Sequence, residues 1–142
     1  MKVSVHSDLH FEFGEGFITN TNNAKVLLLA GDILVANDNI TKQYYGSLVK
    51  EMVKQYDYVL AIPGNHEYYD GDIDEVNAYL DAWYTSLGVT FLQNRSIVID
   101  GYKIIGTTLW SDIDPLRSFM ITQQVSDFYL ISWKNKRFFA DD

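Results

Sequence analysis

Apolar positions in the first half of the chain come as short dense runs, each followed by a helical stripe or a polar stop. Lys2-Val3-Ser4-Val5-His6 alternates and predicts a strand with one face buried. Lys25-Val26-Leu27-Leu28-Leu29-Ala30 and Tyr58-Val59-Leu60-Ala61-Ile62-Pro63 are almost continuous, as expected of strands covered on both faces in a parallel sheet. Between them Ile40, Tyr44, Leu48 and Met52 form one i, i+4 row, with Tyr45, Val49 and Val53 beside it. That spacing predicts a helix capped by Asp38 or Asn39 and ending near Asp57. Strand, helix and strand then make a parallel unit with a right-handed crossover. A second helix is predicted from Asp72 as N-cap in Asp72-Ile73-Asp74-Glu75, through the stripe Ile73, Val76, Leu80, Trp83 and Leu87, to a stop at Gly88.

The pattern then changes. Val89 to Leu92, Ser96 to Ile99 and Tyr102 to Ile105 are short strands, the last two joined by the type I′ hairpin signal Asp100-Gly101. Gly106 to Asp112 extends the last strand toward a polar end, with packing and loop roles for Trp110 and Asp112. Phe11 to Ala24 is a loop, and Lys134 to Asp142 is expected to be an exposed tail.

Composition narrows the function. A chain of 142 residues fits a single domain, and the absence of cysteine removes disulfides, thiol catalysis and iron–sulfur clusters. No apolar stretch is long enough for a membrane span, and no signal pattern follows Met1-Lys2, so a cytoplasmic protein is expected. A net charge of −8 argues against long nucleic acid as a partner. It leaves small phosphorylated compounds open, because bound cations reverse the local field.

Three strand-like runs end in the groups that hold metals: Asp8 and His10, then Asp32 after Gly31, then Asn65 and His66 after Gly64. Ligands in α/β sheets gather beyond the carboxyl ends of strands, so these residues converge. Taken singly, Asp-x-His or Gly-Asp is better explained as a turn after a strand. Together, Asp8, His10, Asp32 and Asn65 make a mixed oxygen and imidazole set suited to Mn²⁺, Fe²⁺ or Zn²⁺. His66 follows Asn65 and is expected to face the same pocket, where an imidazole suits stabilisation of transition-state charge or protonation of the leaving alkoxide. Glu67 either supports His66 or is an acid at a helix start. His6 is a strand residue near the pocket or in the core.

Asp8-Leu9-His10, Gly31-Asp32 and Gly64-Asn65-His66-Glu67 resemble the first three signature motifs of the calcineurin-like metallophosphoesterases. Gly106 to Asp112 and Ser126-Asp127-Phe128 are similar to a further segment common in bacterial and phage members. The resemblance implies an α/β fold, a two-sheet β-sandwich flanked by helices with a dinuclear centre at the strand ends. It also implies hydrolysis of a phosphomonoester or phosphodiester. By that analogy Asp8, His10 and Asp32 hold the first ion, Asp32 and Asn65 share in the second, Asn65 and His66 meet the substrate, and His66 is the catalytic histidine.

The family pattern goes on to three more histidine ligands, yet this chain has only His6, His10 and His66. The expectation is one domain over residues 1–142, truncated and incomplete in its second sheet, holding at most one ion well. A completing C-terminal chain, self-association and a degenerate member are the competing explanations. An inactive metal- or nucleotide-binding interaction module is the alternative to an enzyme, and a nuclease is the alternative within the family.

Overall fold

The computed structural model describes residues 1–14, 16–36 and 39–138, with backbone alone for 39–43. Four parallel strands form the central sheet: β1 (Val3–His6), β2 (Val26–Ala30), β3 (Tyr58–Ile62) and β5 (Thr90–Phe91), side by side in that order. Val3 to His6 pair with Val26 to Leu29, and Val26 to Ala30 with Tyr58 to Ile62, so the carboxyl ends of β1, β2 and β3 lie level. Helices α1 (Asn39–Val53) and α2 (Ile73–Ser86) provide the crossovers between strands. Leu27, Leu29, Val59 and Ala61 point to the helical side, into a core with Tyr45, Val49, Met52, Val76 and Leu80. The opposite face, Val26 and Leu60 with Leu28 and Ile62, packs on Leu92, Ile97, Ile99 and Ile104. That second layer is the antiparallel hairpin of β6 (Arg95–Ile99) and β7 (Tyr102–Gly106), turned by Asp100 and Gly101 at φ 50° and 80°. The expected sandwich of two sheets with flanking helices is therefore present. Its hairpin layer leaves Val3 and Val5 of β1 exposed on the same face.

Several expectations are corrected. Helix α1 ends at Val53, short of Asp57, because Gln55 turns away to serve the loop before β2. Its side chain accepts from the Asn20 amide at 3.0 Å and donates to the Ile18 carbonyl at 3.3 Å. The buried face of α1 is Tyr45, Val49 and Met52, while Tyr44 is exposed. The Asp38 cap and the side chain of Ile40 lie outside the described residues. In α2 the expected cap holds: Asp72 accepts from the Asp74 amide at 3.0 Å.

Strand β7 stops at Gly106 and does not run on to Asp112. There Gln93 and Asn94 side chains take over, bonding the Thr108 amide at 3.0 Å and the Thr107 hydroxyl at 2.8 Å. Trp110 packs between Tyr68 and Phe138, and Asp112 lies in an exposed loop, as expected. Lys134 to Arg137 are exposed as expected, but Lys134 to Phe138 are not a tail. After α3 (Pro115–Gln124) and α4 (Asp127–Leu130), strands β8 (Ile131–Trp133) and β9 (Lys136–Arg137) form a hairpin, and Phe138 is buried. This hairpin pairs with the two-residue β4 (Gly71–Asp72) just before α2. Residues 139–142 lie outside the description.

Candidate metal centre

Beyond β1 and β2 the main chains stay zipped. The Asp8 amide donates to the Gly31 carbonyl, the His10 amide to the Asp32 carbonyl and the Phe11 amide to the Ile33 carbonyl, each at 3.0 Å. This pairing is reached with Asp8, His10 and Asp32 at φ 54°, 43° and 54°. Left-handed backbone is uncommon for residues other than glycine, and its recurrence at these positions aims their side chains together at some conformational cost. Donor atoms of Asp8, His10 and Asp32 all lie within 4.8 Å of one another. Two carboxylates and an imidazole at that spacing fit a divalent cation.

The third strand end is locked onto the second. Gly31 and Gly64 approach so closely that a Cβ on Gly31 would lie 2.8 Å from the Gly64 nitrogen, and one on Gly64 would collide with the Asp32 carboxylate. Glu67 is buried beneath both turns. Its carboxylate accepts from the amides of Gly64 at 2.7 Å, Asp32 at 3.0 Å, Ile33 at 2.7 Å and Leu34 at 3.4 Å. Burial pushes the Glu67 carboxyl up to about 7, against the pull of the amides. Glu67 thus binds main chain, and the expectation that it supports the His66 ring is corrected.

His66 reaches the cluster from this turn, with Asn65 beside it. The His66 amide donates to Asp32 Oδ1 at 3.0 Å. Asn65 Nδ2 donates to Asp127 Oδ1 at 2.9 Å and to the Tyr69 hydroxyl at 3.2 Å. Tyr69 donates to the same Asp127 oxygen at 2.8 Å. With its nitrogen so engaged, Asn65 keeps its carbonyl oxygen to offer a cation. The His66 ring lies 4.3 Å from His10 and 4.3 Å from Tyr69, centroid to centroid. His6 remains a strand residue, bonded through Nε2 to Ser4 at 3.1 Å. It lines a cleft of about 410 Å³ with His10, Phe13 and Phe17. A second cleft of about 650 Å³, walled by Trp110, Phe128 and Phe138, has Asp127 on its lining.

Glu12 and Tyr69 are site residues that the motif reading missed, and Asp127, within the segment Ser126-Asp127-Phe128, had no role assigned to it. Glu12 Oε1 lies 3.2 Å from His10 Nδ1 and 3.1 Å from His66 Nδ1. Its other oxygen, Oε2, is buried without a hydrogen-bond partner. Its place two residues after His10 was the available signal.

A parallel sheet sandwiched between helices and a hairpin, with carboxylate, imidazole and amide groups at three adjoining strand ends, defines an α/β protein with a candidate metal centre. The chain belongs to the calcineurin-like phosphoesterase family, whose family model matches residues 1–141. A curated relative, the uncharacterized protein L509 of Acanthamoeba polyphaga mimivirus, is 30% identical over 143 residues, covering 88% of this chain and 50% of that protein. The crystal structure of the phosphopantetheinyl hydrolase PptH from Mycobacterium tuberculosis superposes with a TM-score of 0.68 at 17% identity. That match covers 96% of this chain and 57% of the hydrolase. The chain therefore spans about half the length of the relatives it matches.

Proposed function

We propose that this chain carries the substrate-facing front of a metal-dependent phosphoesterase acting on a small phosphomonoester or phosphodiester. The observation that carries the reading is the convergence of Asp8, His10 and Asp32 donors within 4.8 Å, with His66 bonded to Asp32 through its amide. Asp8, His10 and Asp32 would hold one divalent ion, and Asp32 with Asn65 would contribute to a second. Such ions supply Lewis acidity toward the phosphoryl group and a water of lowered pKa. The chain's own residues do the rest. Asp127 and Tyr69 hold the Asn65 amide nitrogen, which leaves its carbonyl oxygen free to serve as a ligand. His66, wedged between His10 and Tyr69, is placed to give a proton to the departing oxygen. Phe13 and Phe17, exposed beside His10, offer apolar surface to the organic part of a substrate.

Among the described residues the donor set for two ions is short, since only Asp32 and Asn65 are assigned to the second and the remaining histidine, His6, bonds Ser4. This favours weak or no turnover by the chain alone and keeps a metal-binding interaction module as the second reading. Ligands from elsewhere, in a longer polypeptide, a second copy or a separate chain, would complete the centre. The test is hydrolysis of p-nitrophenyl phosphate and its bis ester with Mn²⁺. Any turnover is expected to disappear with chelator and in both Asp32→Ala and His66→Ala. Robust activity that survives both substitutions contradicts the site.

A further inference from the structure

We propose that Glu12 is a positioning residue that sets the tautomer of both histidines at the centre, holding a proton on Nδ1 of His10 and of His66. The proposal deepens the phosphoesterase reading and rests on it for its catalytic meaning, but its geometry stands alone. One carboxylate oxygen, Oε1, reaches His10 Nδ1 at 3.2 Å and His66 Nδ1 at 3.1 Å. An ionised carboxylate only accepts, so each ring must donate Nδ1–H. Nε2 is then the nitrogen left with a lone pair on both rings: on His10 to bind a cation beside Asp8 and Asp32, on His66 to exchange a proton with substrate.

The side chain of Glu12 is 9% exposed, and the loop keeps it there. Phe11 is buried against Tyr45, ring centroids 4.3 Å apart, and the Phe13 amide donates to the His10 carbonyl at 2.9 Å, closing a tight turn. His10 at φ 43° folds that turn back over the site, so Glu12 lies under the two imidazoles. A carboxylate behind a ligating histidine fixes ring orientation and raises ligand basicity. Here one carboxylate does so for a ligand and for the proton donor together, which ties the two rings to one geometry.

A competing use of the same atoms is a cation held by His10, Glu12 and His66, whose donor atoms also lie within 4.8 Å of one another. Nitrogen-15 NMR of the metal-free chain at alkaline pH, where imidazoles are neutral, separates the two. The expected spectrum shows His10 and His66 as Nδ1–H tautomers. On Zn²⁺ addition the Nε2 signal of His10 moves to a coordinated position and that of His66 does not. Glu12→Gln, which keeps an acceptor oxygen, retains the tautomers. Glu12→Ala releases both rings to mixtures and weakens the first ion by about 10- to 100-fold. An Nε2–H tautomer at either ring of the unsubstituted chain overturns the proposal, as does coordination of Zn²⁺ by His66 Nδ1. Neither readout uses turnover, so robust hydrolysis that survives both Asp32→Ala and His66→Ala would contradict the phosphoesterase site and leave this proposal standing.

Discussion

The two halves of the candidate centre are built differently. On the Asp8 side the donors ride on main chain: Asp8, His10 and Asp32 sit where two strand ends remain hydrogen-bonded past the sheet. On the Asn65 side they depend on side chains, with the Asn65 amide held by the nearby Tyr69 and by Asp127 from a distant part of the chain. Glu67 is the joint between the halves, since one carboxylate gathers amides of Gly64 and of Asp32, Ile33 and Leu34. Main-chain anchoring places the first half without distant side chains. The second half is oriented but short of donors.

Breaking the joint has the largest expected effect. Glu67→Ala leaves buried amides without an acceptor and is expected to cost about 3–5 kcal/mol, read from urea unfolding. A smaller change separates its charge from its bonds. The Glu67 carboxyl stands near 7 in the fold against an ordinary 4.5, so the folded chain holds this proton more tightly than the unfolded one. Its contribution to stability is full below the ordinary value and is lost as pH rises through about 7. Urea midpoints of the metal-free chain are expected to fall across that window, with the slope flattened in Glu67→Gln.

Weaker perturbations sharpen the contrast between the halves. Asp127→Ala frees Asn65 and Tyr69 and is expected to cost on the order of 1 kcal/mol of stability. Calorimetry should show the first ion binding as before, since Asp127 touches neither Asp8 nor His10. The smallest effect is expected from His66→Ala on that same titration. His66 is assigned no ligand role, so the affinity for the first ion should stay essentially unchanged while any turnover is lost.

The strand ends were legible because β2 and β3 are nearly continuous apolar runs that stop abruptly at Gly31-Asp32 and Gly64-Asn65. Periodicity likewise exposed the α2 stripe and the Asp100-Gly101 turn. What stayed hidden depends on tertiary contact. Asp127 belongs to the segment Ser126-Asp127-Phe128, but its meeting with Asn65 from 62 positions away is a tertiary contact that the segment does not announce. Glu12 looks like an ordinary loop acid until the left-handed backbone at His10 folds it under the rings. Strands β8 and β9 are too short to show alternation, and their pairing with the two-residue β4 is what orders Lys134 to Phe138.

On the proposed assignment Asp8, His10 and Asp32 bind one ion by themselves, while Asp32 and Asn65 do not complete a second site. Calorimetric titration of the metal-free chain with Mn²⁺ is the decisive measurement. The expected result is about one ion per chain, bound more weakly than in a closed site, with binding lost in Asp32→Ala. Two tightly bound ions per chain, or undiminished binding in Asp32→Ala, would contradict it.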